Sequence, residues 1–113
     1  MHELSIALNI LDIVQEECRK SGSEKITSVV LRVGILSGVD TEALTTCLYV
    51  ASRDTLMQDA DLRIEQEPGK GYCVNCRMEF DMNDILTLCP HCFQSAAELL
   101  EGQELSIREI TVE

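Results

Sequence analysis

Two Cys-x-x-Cys pairs constrain this chain more than any other feature. Cys73-Val74-Asn75-Cys76 and Cys89-Pro90-His91-Cys92 stand 12 residues apart. Each pair can fold into a tight knuckle holding two thiolates about 3.5 to 4 Å apart. That is the separation a tetrahedral ion with ~2.3 Å metal–sulfur bonds requires. The spacer is long enough for a hairpin that brings the knuckles together, so the pattern is that of a zinc ribbon. Zinc would hold together a segment with too few apolar residues to fold alone. A closed tetrathiolate leaves no position for substrate, so no catalysis is expected there.

Two other uses of the sulfurs fit less well. Paired knuckles suit one ion better than two separate dithiol active sites. Four-cysteine iron sites typically have glycine after each knuckle, where this chain has Arg77 and Phe93. His91 lies inside the second knuckle, where it is a solvated loop residue or, less favourably, a substitute ligand or pH-sensitive neighbour of the metal. Cys18 and Cys47 fall on apolar helix stripes and read as small core residues.

Charge and composition narrow the partners. The 113 residues hold 20 acidic against 9 basic side chains, a formal charge of −11. Such a chain repels phosphate backbones, which argues against nucleic acid and anionic membranes as partners. No apolar run approaches the roughly 18 to 20 residues of a membrane span. The N-terminal stretch lacks a basic region and is interrupted by Glu3, Asp12, Glu16 and Glu17, unlike a secretory signal. A cytoplasmic location is expected, where cysteines bind metal before they form disulfides. With only two tyrosines, two phenylalanines and no tryptophan, any core must be aliphatic.

Periodicity supplies the frame. Leu4, Ala7, Leu11, Val14 and Cys18 are spaced as one face of a helix over 4–20, widened by Ile6, Ile10 and Ile13. Alternation of Val29, Leu31, Val33 and Ile35 marks a strand over 26–35, with Val30 suggesting that part of the second face is also covered. Leu44, Cys47, Leu48 and Ala51 stripe a second helix over about 41–54, with Asp40 as N-cap. Short strands follow at 62–67 and 104–112, the latter with a phase slip between Ile107 and Ile110. Pro68-Gly69-Lys70-Gly71 reads as a break. The predicted fold is α+β: two helices packed on a small three-stranded mixed sheet, with an inserted zinc-ribbon domain. The domains are 1–67 with 104–113, and 68–103, the two links at 68–71 and 101–103 forming a hinge.

The chain opens Met1-His2-Glu3. A histidine at position two offers its imidazole, its own backbone nitrogen and the terminal amine around one ion. Those small chelate rings favour metals that take nitrogen in a square arrangement, such as Ni(II) or Cu(II). Glu3 alternatively complements the dipole of the first helix. If both helix N-termini meet at one sheet edge, Asp40 approaches His2 and adds an oxygen ligand.

The opening Met1-His2-Glu3-Leu4-Ser5, the segment Val33-Gly34-Ile35-Leu36-Ser37-Gly38-Val39-Asp40 followed by Glu42-Ala43-Leu44, the two knuckles and the closing strand together resemble the HypA/HybF family. The resemblance implies a nickel metallochaperone for [NiFe]-hydrogenase maturation, not an enzyme. It maps transient Ni(II) onto His2, with Met1, Glu3 and local backbone nitrogens, and Asp40 in some members. It maps structural Zn(II) onto Cys73, Cys76, Cys89 and Cys92. The implied partners are the GTPase HypB and the hydrogenase large-subunit precursor, and some members serve urease. The second helix departs from the family's phenylalanine-rich stretch with Cys47-Leu48-Tyr49. Without that resemblance, the leading alternative is a zinc-ribbon adaptor that binds protein or nucleic acid and transfers no metal.

Overall fold

Helix α1 (Glu3–Lys20) forms because an aliphatic stripe recurs at helical spacing, with Glu3 in the first turn and Arg19 and Lys20 in the last. Its end is set by Gly22, whose positive φ of 75° few other residues accept. The buried stripe is Ala7, Ile10, Leu11, Val14 and Cys18. Leu4 and Ile13 are exposed, contrary to the sequence reading. At about 100° per residue Ile13 falls outside the buried arc, and Leu4 sits in the first turn, at its edge.

A computed structural model describes residues 2–113 of this chain. Strand β1 (Ile26–Gly34) buries Val29, Leu31 and Val33 on one face and Val30 on the other, the double coverage that Val30 suggested. Helix α2 (Thr41–Ala51) follows, then strand β2 (Asp61–Glu67). α2 stops three residues before the predicted 54, because Ser52 begins a run of tight turns. The N–H groups of Thr55, Gln58 and Ala60 each bond the carbonyl three residues back.

β2, β1 and β6 (Leu105–Val112) make one sheet in that order. Gly34 N–H donates to Glu104 O and Glu113 N–H to Lys25 O, so β1 and β6 run antiparallel. Ile26 N–H reaches Leu56 O and Ile35 N–H reaches Glu67 O, so β1 and β2 advance together across the α2 crossover. The sheet is therefore mixed. Half-buried Ile107 and Ile110 flank exposed Arg108 and Glu109, the predicted phase slip.

The expected break at 68–71 is a strand instead. β3 (Gly69–Cys73) pairs antiparallel with β4 (Met78–Met82) and with β5 (Glu98–Glu101), giving a second sheet in the order β4-β3-β5. Its glycines serve close approach, not flexibility. A Cβ on Gly71 would lie 2.5 Å from Met82 Sδ and 2.8 Å from Ala96 Cβ.

Contacts sort the chain into two compact units. One holds 1–31, 39–65 and 106–113, where α1 packs on α2 and the buried aliphatic residues come from both helices and β1. The other holds 32–38 and 66–105. Its core is Leu36, Cys73, Phe80, Met82 and Cys89, with Ile35, Cys76, Cys92, Ala96 and Leu99 packed against it. Segment 34–36 is stitched into this second unit by Leu36 N–H donating to Gly102 O at 2.7 Å and Ile35 N–H to Glu67 O at 2.9 Å.

Candidate metal centre

The first knuckle turns β3 into β4. Cys73 ends β3, and Cys76 N–H points at Cys73 Sγ at 3.4 Å, folding the four residues into a hook. The second knuckle closes in the same way: Phe93 N–H donates to Cys89 O at 2.8 Å and Cys89 N–H to Gln94 O at 2.9 Å. Arg77 and Phe93, just after the two knuckles, take the left-handed backbone with φ of 54° and 62°. Glycine commonly serves there, so the tight turn survives without it at a steric cost of about 1 to 2 kcal/mol per residue.

The two hooks face each other. Cys73 and Cys92 Sγ lie 3.4 Å apart, Cys89 and Cys76 Sγ 3.9 Å apart, and all four sulfurs fall within 4.8 Å of one another. Four ligands at ~2.3 Å around a tetrahedral ion are about 3.8 Å apart, so the donor set fits one such ion. Cys73 and Cys89 are buried, Cys76 and Cys92 half-buried, and none forms a disulfide.

The thiols are not equivalent. The neighbouring Cys92 side chain, with burial and the other two thiols, pushes Cys76 up to about 12. The N–H of Gln94 outweighs burial at Cys92 and brings it down to about 7. Cys73 receives the N–H of Cys76, which favours its thiolate, but burial and the thiols of Cys92 and Cys89 outweigh this and raise it. At Cys89 burial opposes ionisation, yet the N–H groups of Cys92 and His91 and the Cys73 side chain prevail and lower it. His91 is exposed and its imidazole is not among the converging donors. Cys18 is fully buried and Cys47 half-buried on their helix stripes, and neither is among the converging donors.

At the other end of the chain, His2 is exposed at the N-cap of α1, and its side chain makes no capping bond. Asp40 caps α2: its Oδ1 accepts the N–H groups of Glu42 at 3.0 Å and Ala43 at 3.2 Å. Asp40 N–H in turn donates to Glu3 Oε2 at 3.2 Å. The two helix N-termini thus meet, as the sequence reading required for Asp40 to approach the start of the chain. Met1 lies outside the described residues. The hydrogen bond from Asp40 to Glu3 was not foreseen, because it joins a backbone donor to a side chain 37 positions away.

Among the described residues, no helix is long and apolar enough to cross a membrane. Residues 1–112 match the family model described as hydrogenase/urease nickel incorporation, metallochaperone, hypA. The chain is 42% identical over 113 residues to the hydrogenase maturation factor HypA of Chlorobaculum parvum, covering all of both chains. It is 34% identical to that of Psychromonas ingrahamii, over 100% of this chain and 99% of the other. Its fold is similar to the solution structure of the Ni metallochaperone HypA from Helicobacter pylori, with a TM-score of 0.69 at 24% identity, covering 99% of this chain and 97% of that one.

Proposed function

Because this chain belongs to the HypA family of hydrogenase/urease nickel metallochaperones, we propose that it binds Ni(II) at its N-terminus and delivers it for hydrogenase maturation, while a Zn(II) ion resides among the cysteines. The observation that carries this reading is the hydrogen bond from Asp40 N–H to Glu3. It draws a second carboxylate-bearing segment to the end of the chain that begins Met1-His2. The nickel donors we assign are the Met1 amine, the His2 imidazole and backbone nitrogen, and the carboxylates of Glu3 and Asp40.

The two ions need opposite kinetics. Cargo must be held selectively and released readily, and donors near a chain end detach individually. A closed four-thiolate cage does not release its ion this way, so zinc supports the fold of the segment around Cys73, Cys76, Cys89 and Cys92. Zinc supplies cross-linking there, and we assign the protein no catalytic reaction. The working division is a nickel-binding domain, 1–67 with 104–113, and a zinc-ribbon domain, 68–103. The protein acts in the cytoplasm, receiving or passing nickel with the GTPase HypB and docking on the hydrogenase large-subunit precursor. Urease maturation is a second outlet within the same family chemistry.

Element analysis of untagged protein after nickel exposure tests the reading. The expected result is one zinc and one nickel per chain, with His2→Ala losing nickel and keeping zinc. If His2→Ala binds nickel like wild type, the N-terminal assignment fails and the adaptor reading takes its place.

A further inference from the structure

One cavity in the first unit shares no lining residue with either proposed metal site. It encloses about 700 Å³ beside the C-terminal half of α2, under the turns of 52–60 and the start of β2. Leu48 and Met57, both buried, and half-buried Leu62 give it apolar walls. Three carboxylates, Asp54, Asp59 and Asp61, belong to its exposed lining. Among the described residues, no ion pair engages any of the three. The cationic group of the lining, Arg53, lies over the Tyr49 ring at 5.6 Å, and that ring is 67% exposed.

This lining calls for a particular kind of occupant. Among the described residues, the cysteines form a converging metal-type cluster and the three aspartates do not. Carboxylates that line the same cavity as aliphatic side chains without converging on one point suit a broad cation on an apolar stem. A guanidinium fits better than an ammonium: it is planar, weakly hydrated and presents five donors in a fork to separated carboxylates. The turns that carry the carboxylates are already formed. Asp54 N–H donates to Gln58 Oε1 at 2.7 Å, and the backbone bonds of Thr55, Gln58 and Ala60 fix the loop. Little ordering is left to occur on binding.

We propose that this cavity receives an arginine side chain, flanked by aliphatic residues, from a basic segment of a partner protein. The inference does not rest on the nickel assignment, and its test uses no nickel. The probe is acetyl-Leu-Arg-Leu-amide, titrated into zinc-loaded, isotope-labelled full-length protein and followed by amide chemical shifts. Shifts confined to residues 45–62 are expected, weakening as salt is added. The triple variant Asp54→Asn, Asp59→Asn, Asp61→Asn should weaken binding roughly tenfold. Asparagine tolerates the left-handed backbone of Asp54 and Asp59 as well as aspartate does, so the fold is preserved, and an otherwise unchanged spectrum verifies this. Equal binding of acetyl-Leu-Gln-Leu-amide overturns the charge argument, and equal binding of acetyl-Leu-Lys-Leu-amide overturns the assignment of arginine. Shifts scattered over the whole acidic surface, or none at all, overturn the site.

Discussion

Asp40 carries two demands on one carboxylate. Its Oδ1 already caps α2 through Glu42 and Ala43, while the proposed nickel site asks its other oxygen for a bond. Two substitutions separate the roles. Asp40→Ala removes the cap, so thermal unfolding should show a loss of about 1 kcal/mol along with weaker nickel binding. Asparagine caps a helix as well as aspartate, so Asp40→Asn should melt close to wild type yet bind nickel less tightly. Nickel titrations on both variants decide the point: wild-type affinity in Asp40→Asn means the residue is a cap alone. The sulfurs allow no such separation. Cys89 is fully buried in the core of its unit and is also one of the proposed zinc donors. Cys89→Ser should therefore lose zinc and, with it, the dispersed amide spectrum of residues 66–105, while nickel binding at the N-terminus persists.

At the scale of elements, glycines decide where strands pass. A Cβ on Gly34 would lie 2.0 Å from Gly102 O and 2.3 Å from Gly102 C, both backbone atoms that cannot rotate away. Gly34→Ala should cost about 3 kcal/mol or more, seen as a lower denaturant midpoint with an unchanged slope. Gly22→Ala meets nothing within 4 Å and suffers only its positive φ of 75°, so it should cost about 1 kcal/mol. The contrast shows what the sequence made legible. Helices and core strands were readable because burial writes a period of 3.6 or 2 into the side chains, and the knuckles because metal geometry fixes their spacing. β3 was not readable. Gly69-Lys70-Gly71 carries the local signature of a break, and only distant partners, Leu36, Phe80, Met82 and Ala96, need those positions bare. The end of α2 at Ala51 was hidden for a similar reason: residues 52–54 continue a helix plausibly until turns closing on Gln58 and Ala60 outcompete it.

For the whole molecule, the zinc proposed at the four cysteines would decide whether the second unit exists as a folded body. The buried cluster of that unit holds five residues, of which Cys73 and Cys89 are two, so bonds to the proposed ion would replace much of the hydrophobic burial a domain needs. Its folding must then follow proton chemistry. In the metal-free protein Cys76, pushed up to about 12, and Cys73, raised by burial and its neighbours, hold their protons at pH 7. Cys92, lowered to about 7, is half ionised there, and Cys89 is shifted the same way. Zinc takes all four as thiolates, so loading at pH 7 should release the protons of Cys73 and Cys76 and about half a proton from Cys92, together with whatever Cys89 still holds. The sign follows directly: affinity falls as pH falls, and below pH 7 Cys92 adds its proton and steepens the dependence. Indicator-dye measurement of protons released on zinc addition, at pH 6 and pH 8, gives the count. More protons at pH 6 than at pH 8 is the expected order. Equal counts would mean that Cys92 does not titrate in this range, and that the Gln94 N–H does not set the threshold at which this half of the molecule comes apart.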